Sequence, residues 1–153
     1  MSYIIALDLS LVSTGVAIFN EDGKCVKLDT IETSAKDETK IRLKVIGEKI
    51  IKIKKEYKPI LVLVEQGFSR YNVATQMLFR VHGLINYLFA DTEQKYYHST
   101  TIRKIIMGKG NAKKIEVQKY INDRYKNLNF KNYDESDSYA VGLAWFIEKG
   151  ILQ

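Results

Sequence analysis

An α/β fold, a mixed sheet with helices packed on it, is predicted by three features of this 153-residue sequence. The first thirty residues hold three short β-patterned runs with tight turns between them. An unbroken apolar run, Ile60-Leu61-Val62-Leu63-Val64, reads as a strand buried on both faces. The remainder shows helical spacing of apolar residues. Three antiparallel strands, then helix, strand, helix, strand and more helices, are accommodated by one sheet flanked by helices on both faces.

The first two strands are Tyr3 to Leu9 and Thr14 to Asn20, and the turn Glu21-Asp22-Gly23-Lys24 leads into a third, Cys25 to Ile31. From Ser34, the expected N-cap, apolar residues recur at Ile41, Val45, Ile46, Ile50 and Ile53, which predicts an amphipathic helix. Pro59 stops it, and the buried strand follows, ending at Glu65. A helix predicted from Asn72 to Ala90 carries two apolar sets, one of Val73, Met77, Val81, Leu84 and Leu88 and another of Leu78, Ile85 and Phe89. Two such sets call for two covers, the sheet and a second surface. A short strand near Lys95 to His98, helices from Thr100 to Met107 and from Asn111 to about Tyr125, and a last helix near Asn132 to Gly150 complete the chain. Asn132 and Glu135 form a capping-box pattern, and Ala140, Gly142 and Ala144 permit close packing.

Composition narrows the function classes. Hydrophobic residues make up 46% and charged residues 27%, with 9 Gly and 1 Pro, so a disordered or fibrous chain is excluded. A single domain over residues 1–153 is expected. The lone Cys25 cannot form an internal disulfide, and no long uncharged apolar run or secretory leader is read, so a cytoplasmic location is expected by elimination. Lys, Ile and Asn richness points to an AT-rich source such as a phage, which would make that location the host cytoplasm. The net charge of +6 is unevenly placed. Nine basic and two acidic residues fall between Ser99 and Lys131, a net of +7, leaving −1 for everything else. Such a concentration suits a polyanion, because phosphate neutralisation with counterion release dominates nucleic-acid affinity. A solvated lysine-rich helix face is the alternative.

Four carboxylates lie where apolar elements leave the core. Asp8 is near the end of the first strand, Glu65 ends the buried strand, and Asp134 and Asp137 stand three apart in the first turn of the last helix. If the first and fourth strands are neighbours, all four converge at one end of the sheet. Like charges so close resist joint ionisation, and divalent cations relieve this. Oxygen-only ligands suit Mg²⁺ or Mn²⁺, and two ions roughly 3.5–4 Å apart support phosphodiester hydrolysis. Taken singly, each acid reads better as a turn, cap or strand-end charge; the set of four together is what points to a metal site.

The order of segments resembles the RuvC family of Holliday junction resolvases, in the RNase H-like superfamily. The resemblance rests on Ile5-Ala6-Leu7-Asp8-Leu9-Ser10 with Thr14-Gly15, on Val64-Glu65-Gln66-Gly67-Phe68, and on Asp134-Glu135-Ser136-Asp137-Ser138-Tyr139-Ala140. Between them lie Thr101-Ile102-Arg103-Lys104 and the run from Gly108 to Gln118, similar to the family's Gly-x-Gly-x-Ala-x-Lys segment. Leu9-Ser10 replaces a frequent Pro-Gly, and Arg103 a frequent Lys. The resemblance implies an RNase H-like mixed sheet and a homodimer, with the helix around residues 72–90 as the interface. It implies metal ligation by Asp8, Glu65, Asp134 and Asp137, with two Mg²⁺ ions per site replaceable by Mn²⁺, and a catalytic Lys114 near the scissile phosphate. It further implies DNA contacts by Arg103, Lys104, Lys109, Lys113 and Lys114, and stacking of a junction base on Phe68, with Arg70 beside it.

The leading functional expectation is therefore a structure-selective endonuclease that cuts four-way junctions, forks and flaps to leave 5′-phosphate and 3′-hydroxyl ends. Two other classes are weighed against it. A catalytically inactive module that binds branched DNA shares the basic segment, and a phosphotransferase of actin-like fold shares Asp8 and Thr14-Gly15 but needs roughly twice the length. His82 and His98 lie away from the acids and are not expected to act in catalysis.

Overall fold

The computed structural model describes residues 1–67 and 72–153. Strands β1 (Tyr3–Asp8), β2 (Ser13–Asn20) and β3 (Cys25–Glu32) form the antiparallel meander, and β4 (Leu61–Glu65) and β5 (Glu93–Tyr97) add parallel to β1, in the order β3-β2-β1-β4-β5. The helices are α1 (Thr39–Tyr57), α2 (Asn72–Leu88), α3 (Ser99–Met107), α4 (Lys114–Arg124) and α5 (Tyr133–Glu148).

Strand alternation sorts the core into two layers. Ile4, Ala6, Ala17, Phe19, Leu61 and Leu63 face α3, α4 and α5, meeting Ile102, Ile106, Val117, Ile121 and Phe146. Ile5, Leu7, Val16, Ile18, Val62 and Val64 face α1 and α2, meeting Ile46, Ile50, Val81 and Ile85. Because β1 and β4 are buried on both sides, nearly every residue in them is apolar. The first polar side chains stand at their ends, Asp8 and Glu65.

Some boundaries differ from the sequence expectation. Helix α1 starts at Thr39, not at Ser34, because the Ser34 carbonyl and hydroxyl accept from the amides of Asp37 (3.1 Å) and Lys36 (3.2 Å) and close a turn ahead of the helix. Helix α4 starts at Lys114 rather than Asn111, since buried Ala112 anchors the preceding loop and the Lys113 amide donates to Glu116 Oε2 at 2.7 Å. Asn132 caps α5 as expected, its side-chain oxygen accepting from the Glu135 amide at 3.0 Å. The Glu135 carboxylate turns instead to the Lys131 amide, 2.8 Å away.

On α2 the two apolar sets do not form two separate faces. Met77, Leu78, Val81, Leu84, Ile85 and Leu88 all join one cluster with α1 and the sheet. The outward face carries Val73, Phe79, Gly83 and Tyr87 together with Gln76 and Arg80. Helix α5 crosses the sheet on the opposite side, and two glycines set how closely. A Cβ on Gly142 would collide with the Phe19 ring, and one on Gly15 would overlap the Asp134 carbonyl. The absence of a side chain at Gly15 therefore lets the first turn of α5 sit directly on β2.

Candidate active site

Leu7 and Val64 are paired in the parallel ladder of β1 and β4, so the next residues, Asp8 and Glu65, leave the sheet side by side at the same end. The β1–β2 turn at that end is closed by Thr14, whose Oγ1 donates to the Ser10 carbonyl at 2.7 Å and accepts from the Ser10 amide at 3.2 Å. Hydrogen bonding between Ser10 and Thr14 thus closes the turn in this chain. With Gly15 pairing Asp8 across the hairpin and admitting α5, the third carboxylate, Asp137, arrives at the same place.

Asp8, Glu65 and Asp137 line one cleft of about 390 Å³, with Arg103 from α3 and Lys114 from α4 on its wall and Leu9, Gln66, Gly67, Leu78, Ile102 and Val117 completing it. Burial, then the charges of Glu65 and Asp137, push the Asp8 carboxyl up from 3.8 to about 8. Glu65 is raised by burial first and by Asp137 second, while a hydrogen bond from Asp8 works the other way. One proton shared between Asp8 and Glu65 accounts for both directions. Asp137 is raised by burial, against the pull of Lys114.

The Lys114 ammonium lies 2.5 Å from Asp137 Oδ2. Burial disfavours its charge, but the hydrogen bond to Asp137 and the nearby Asp8 and Glu65 outweigh that and raise its pKa. Arg103 also stabilises the Glu65 carboxylate. Cationic groups and acids therefore share a single cleft, and it can receive a phosphate while holding carboxylates beneath it.

Asp134 stands apart from the other three. Its Oδ2 accepts from the Ser13 hydroxyl at 2.5 Å, and it does not line the cleft. Residues three apart on a helix are rotated by about 60°; Asp137 faces the cleft and Asp134 faces the β2 hairpin. Ser13 was not singled out from the sequence, because its role depends on the contact between α5 and β2. Among the described residues, no three His, Cys, Asp or Glu side chains are closed to a metal-holding geometry.

The other described basic residues expected to contact DNA lie on α3 and in the segment between α3 and α4, and none lines the cleft. Lys104 is exposed on α3, Lys109 pairs with Glu116 at 3.8 Å, and exposed Lys113 caps α4. Phe68 and Arg70 lie outside the described residues. His82 is buried and His98 precedes α3, and neither lines the cleft.

Residues 4–145 match the family model described as crossover junction endodeoxyribonuclease RuvC. The chain belongs to the RuvC family. Crossover junction endodeoxyribonuclease RuvC of Rickettsia bellii (strain OSU 85-389) is 28% identical over 153 residues, covering 95% of this chain and 98% of the relative. The enzyme of the same name from Wolbachia sp. subsp. Drosophila simulans (strain wRi) is 31% identical over 157 residues, covering 98% and 97%. Among solved structures, Thermus thermophilus RuvC in complex with a Holliday junction substrate superposes with a TM-score of 0.84 at 17% identity, over 97% of this chain and 95% of that one. The Fowlpox virus resolvase, also solved with Holliday junction DNA, gives 0.58 at 18% identity, over 96% and 97%. The RNase H-like mixed sheet expected from the sequence is the observed fold. These relatives are bacterial and poxviral, and they lend no support to the phage attribution.

Proposed function

We propose that this chain is a metal-dependent, structure-selective DNA endonuclease that resolves Holliday junctions and other branched DNA by phosphodiester hydrolysis, acting as one domain in the cytoplasm of its cell. The observation that carries the reading is the gathering of Asp8, Glu65 and Asp137 in one cleft walled by Lys114 and Arg103. An inactive junction-binding module would need the basic surface but has no use for three half-buried carboxylates that oppose one another's ionisation.

The donor set fits a divalent cation. It is oxygen-only, and each of the three carboxyls is displaced toward its protonated form by burial and neighbouring charge. A hard cation favours the ionised form of all three. Asp8, Glu65 and Asp137 would hold it, with Asp134 as a fourth acid at the edge of the set. We favour Mg²⁺, with Mn²⁺ able to replace it, at two ions per site. When bound, such ions supply charge neutralisation to the attacked phosphate and to the entering and departing oxygens.

The chain's own residues do the rest. The side-by-side parallel pairing of β1 and β4 fixes Asp8 and Glu65 on a rigid sheet, which favours precise orientation of the reacting groups. Lys114, on a partly exposed side chain, donates to Asp137 and can donate to a phosphate oxygen entering beside it. Arg103, Lys104, Lys109 and Lys113 neutralise flanking phosphates, and the roles we assign to Phe68 and Arg70, stacking on a junction base and contacting DNA, rest on the family resemblance alone. The outward face of α2 exposes Val73, Phe79 and Tyr87 among Gln76, Arg80 and Gly83, and we propose it as the homodimer interface that a two-fold substrate calls for.

The test is incubation of purified protein with labelled four-way, three-way and linear duplex DNA, with Mg²⁺ and with EDTA. Paired, Mg²⁺-dependent cuts in the four-way junction are expected. Junction binding without cutting in any divalent cation would favour the inactive module.

A further inference from the structure

Gln118 is a polar residue at a position where α4 is otherwise apolar. It lies between buried Val117 and Ile121 and is itself only 8% exposed. An amide this deep is costly unless its hydrogen bonds are made, so its partners identify its role. The Nε2 group lies 3.3 Å from the Ser136 hydroxyl, and that hydroxyl donates to the Tyr133 carbonyl at 3.0 Å. Gln118 therefore grips the first turn of α5 from α4.

Its location is a partition between two cavities. Val117 and Asp137 line the carboxylate cleft, while their chain neighbours Gln118 and Ser136 line a second cavity of about 430 Å³ with Asn122, Phe130 and Tyr133. Ser136, which the Gln118 amide engages, is the immediate chain neighbour of Asp137. Lys114 holds Asp137 at Oδ2 from the cleft side, and Gln118 holds the helix turn that carries it from behind, through Ser136.

We infer that Gln118 is a positioning residue, bracing the N-terminal turn of α5 through Ser136 so that Asp137 meets a cation in one fixed orientation. The inference rests on the cleft being a metal-dependent nuclease centre. Residues that orient a ligating side chain typically contribute 10–100-fold in metal affinity.

The test compares Gln118→Met, which keeps the shape without the hydrogen bonds, with Gln118→Asn, which keeps a buried amide but shortens its reach. Mn²⁺ is titrated into each DNA-free protein by calorimetry, and junction affinity is measured separately in EDTA. Mn²⁺ binding weakened by about 10–100-fold in both variants, with junction affinity unchanged and cleavage recovered at high Mn²⁺, is expected. A folded variant of either kind that binds Mn²⁺ as the wild type does overturns the inference, even if its thermal stability has dropped. A wild type that neither binds Mn²⁺ nor cuts junctions defeats the nuclease reading itself, which is a separate result.

Discussion

Replacing Asp8 with Asn should stabilise the metal-free protein while abolishing its chemistry. The Asp8 carboxyl is raised from 3.8 to about 8 by burial and by Glu65 and Asp137. A carboxyl whose folded value lies above its unfolded value contributes stability that is complete below the unfolded value and is lost as pH rises toward the folded one. Just over three pH units separate 3.8 from pH 7, at about 1.4 kcal/mol each, so the full penalty approaches ~4 kcal/mol. Sharing of one proton with Glu65 and the amide's own need for partners reduce the gain to about 2–4 kcal/mol, or about 5–15 °C in melting temperature for a chain of this length. The assay is thermal denaturation of wild type and Asp8→Asn in EDTA from pH 4 to pH 8. The two should nearly coincide at pH 4, and the variant's advantage should grow with pH and level off above about 8. Saturating Mn²⁺ should reverse the order, because only the wild type gains binding free energy. A variant that is less stable than wild type at pH 7 in EDTA, or a difference that does not vary with pH, would refute the reasoning.

Three further outcomes are expected. Gly15→Ala places a methyl on the Asp134 carbonyl, so α5 must retreat from β2. Stability should fall by about 1–3 kcal/mol in a melting experiment, and cleavage should be lost more completely than stability, because Asp137 moves with the helix. Lys114→Met removes the 2.5 Å partner of Asp137 from a half-exposed site. Its stability effect should be at most about 1 kcal/mol, whereas single-turnover cleavage should slow by about 10²-fold with junction affinity nearly retained. Arg103→Ala should flatten the dependence of log junction affinity on log salt by about 1, the loss of one phosphate contact; an unchanged slope would place Arg103 off the DNA path.

Much of this arrangement was legible before the structure. Strands buried on both faces carry almost no polar residues, so Asp8 and Glu65 stood out at their ends, and the parallel pairing of β1 with β4 brings them together. What stayed illegible depends on contacts between distant segments. The pattern Asp134-x-x-Asp137 places two acids on neighbouring faces of a helix, but only the seating of α5 on Gly15 decides that Ser13 takes one and the cleft the other. Gln118 looked like one more residue of a basic, polar helix, since nothing local marks which turn of α4 is buried beneath α5. The start of α1 misled for a simpler reason: Ser34 closes a turn with the same hydrogen-bonding atoms that a helix cap would use.

The central claim is that Asp8, Glu65 and Asp137 together hold cations. Crystals soaked in Mn²⁺ and recorded at the manganese absorption edge test it most directly. Anomalous density within bonding distance of all three carboxylates, with the Lys114 ammonium drawn off Asp137, is the predicted result. A cleft without anomalous density at saturating Mn²⁺, or a peak that engages none of the three, would contradict it.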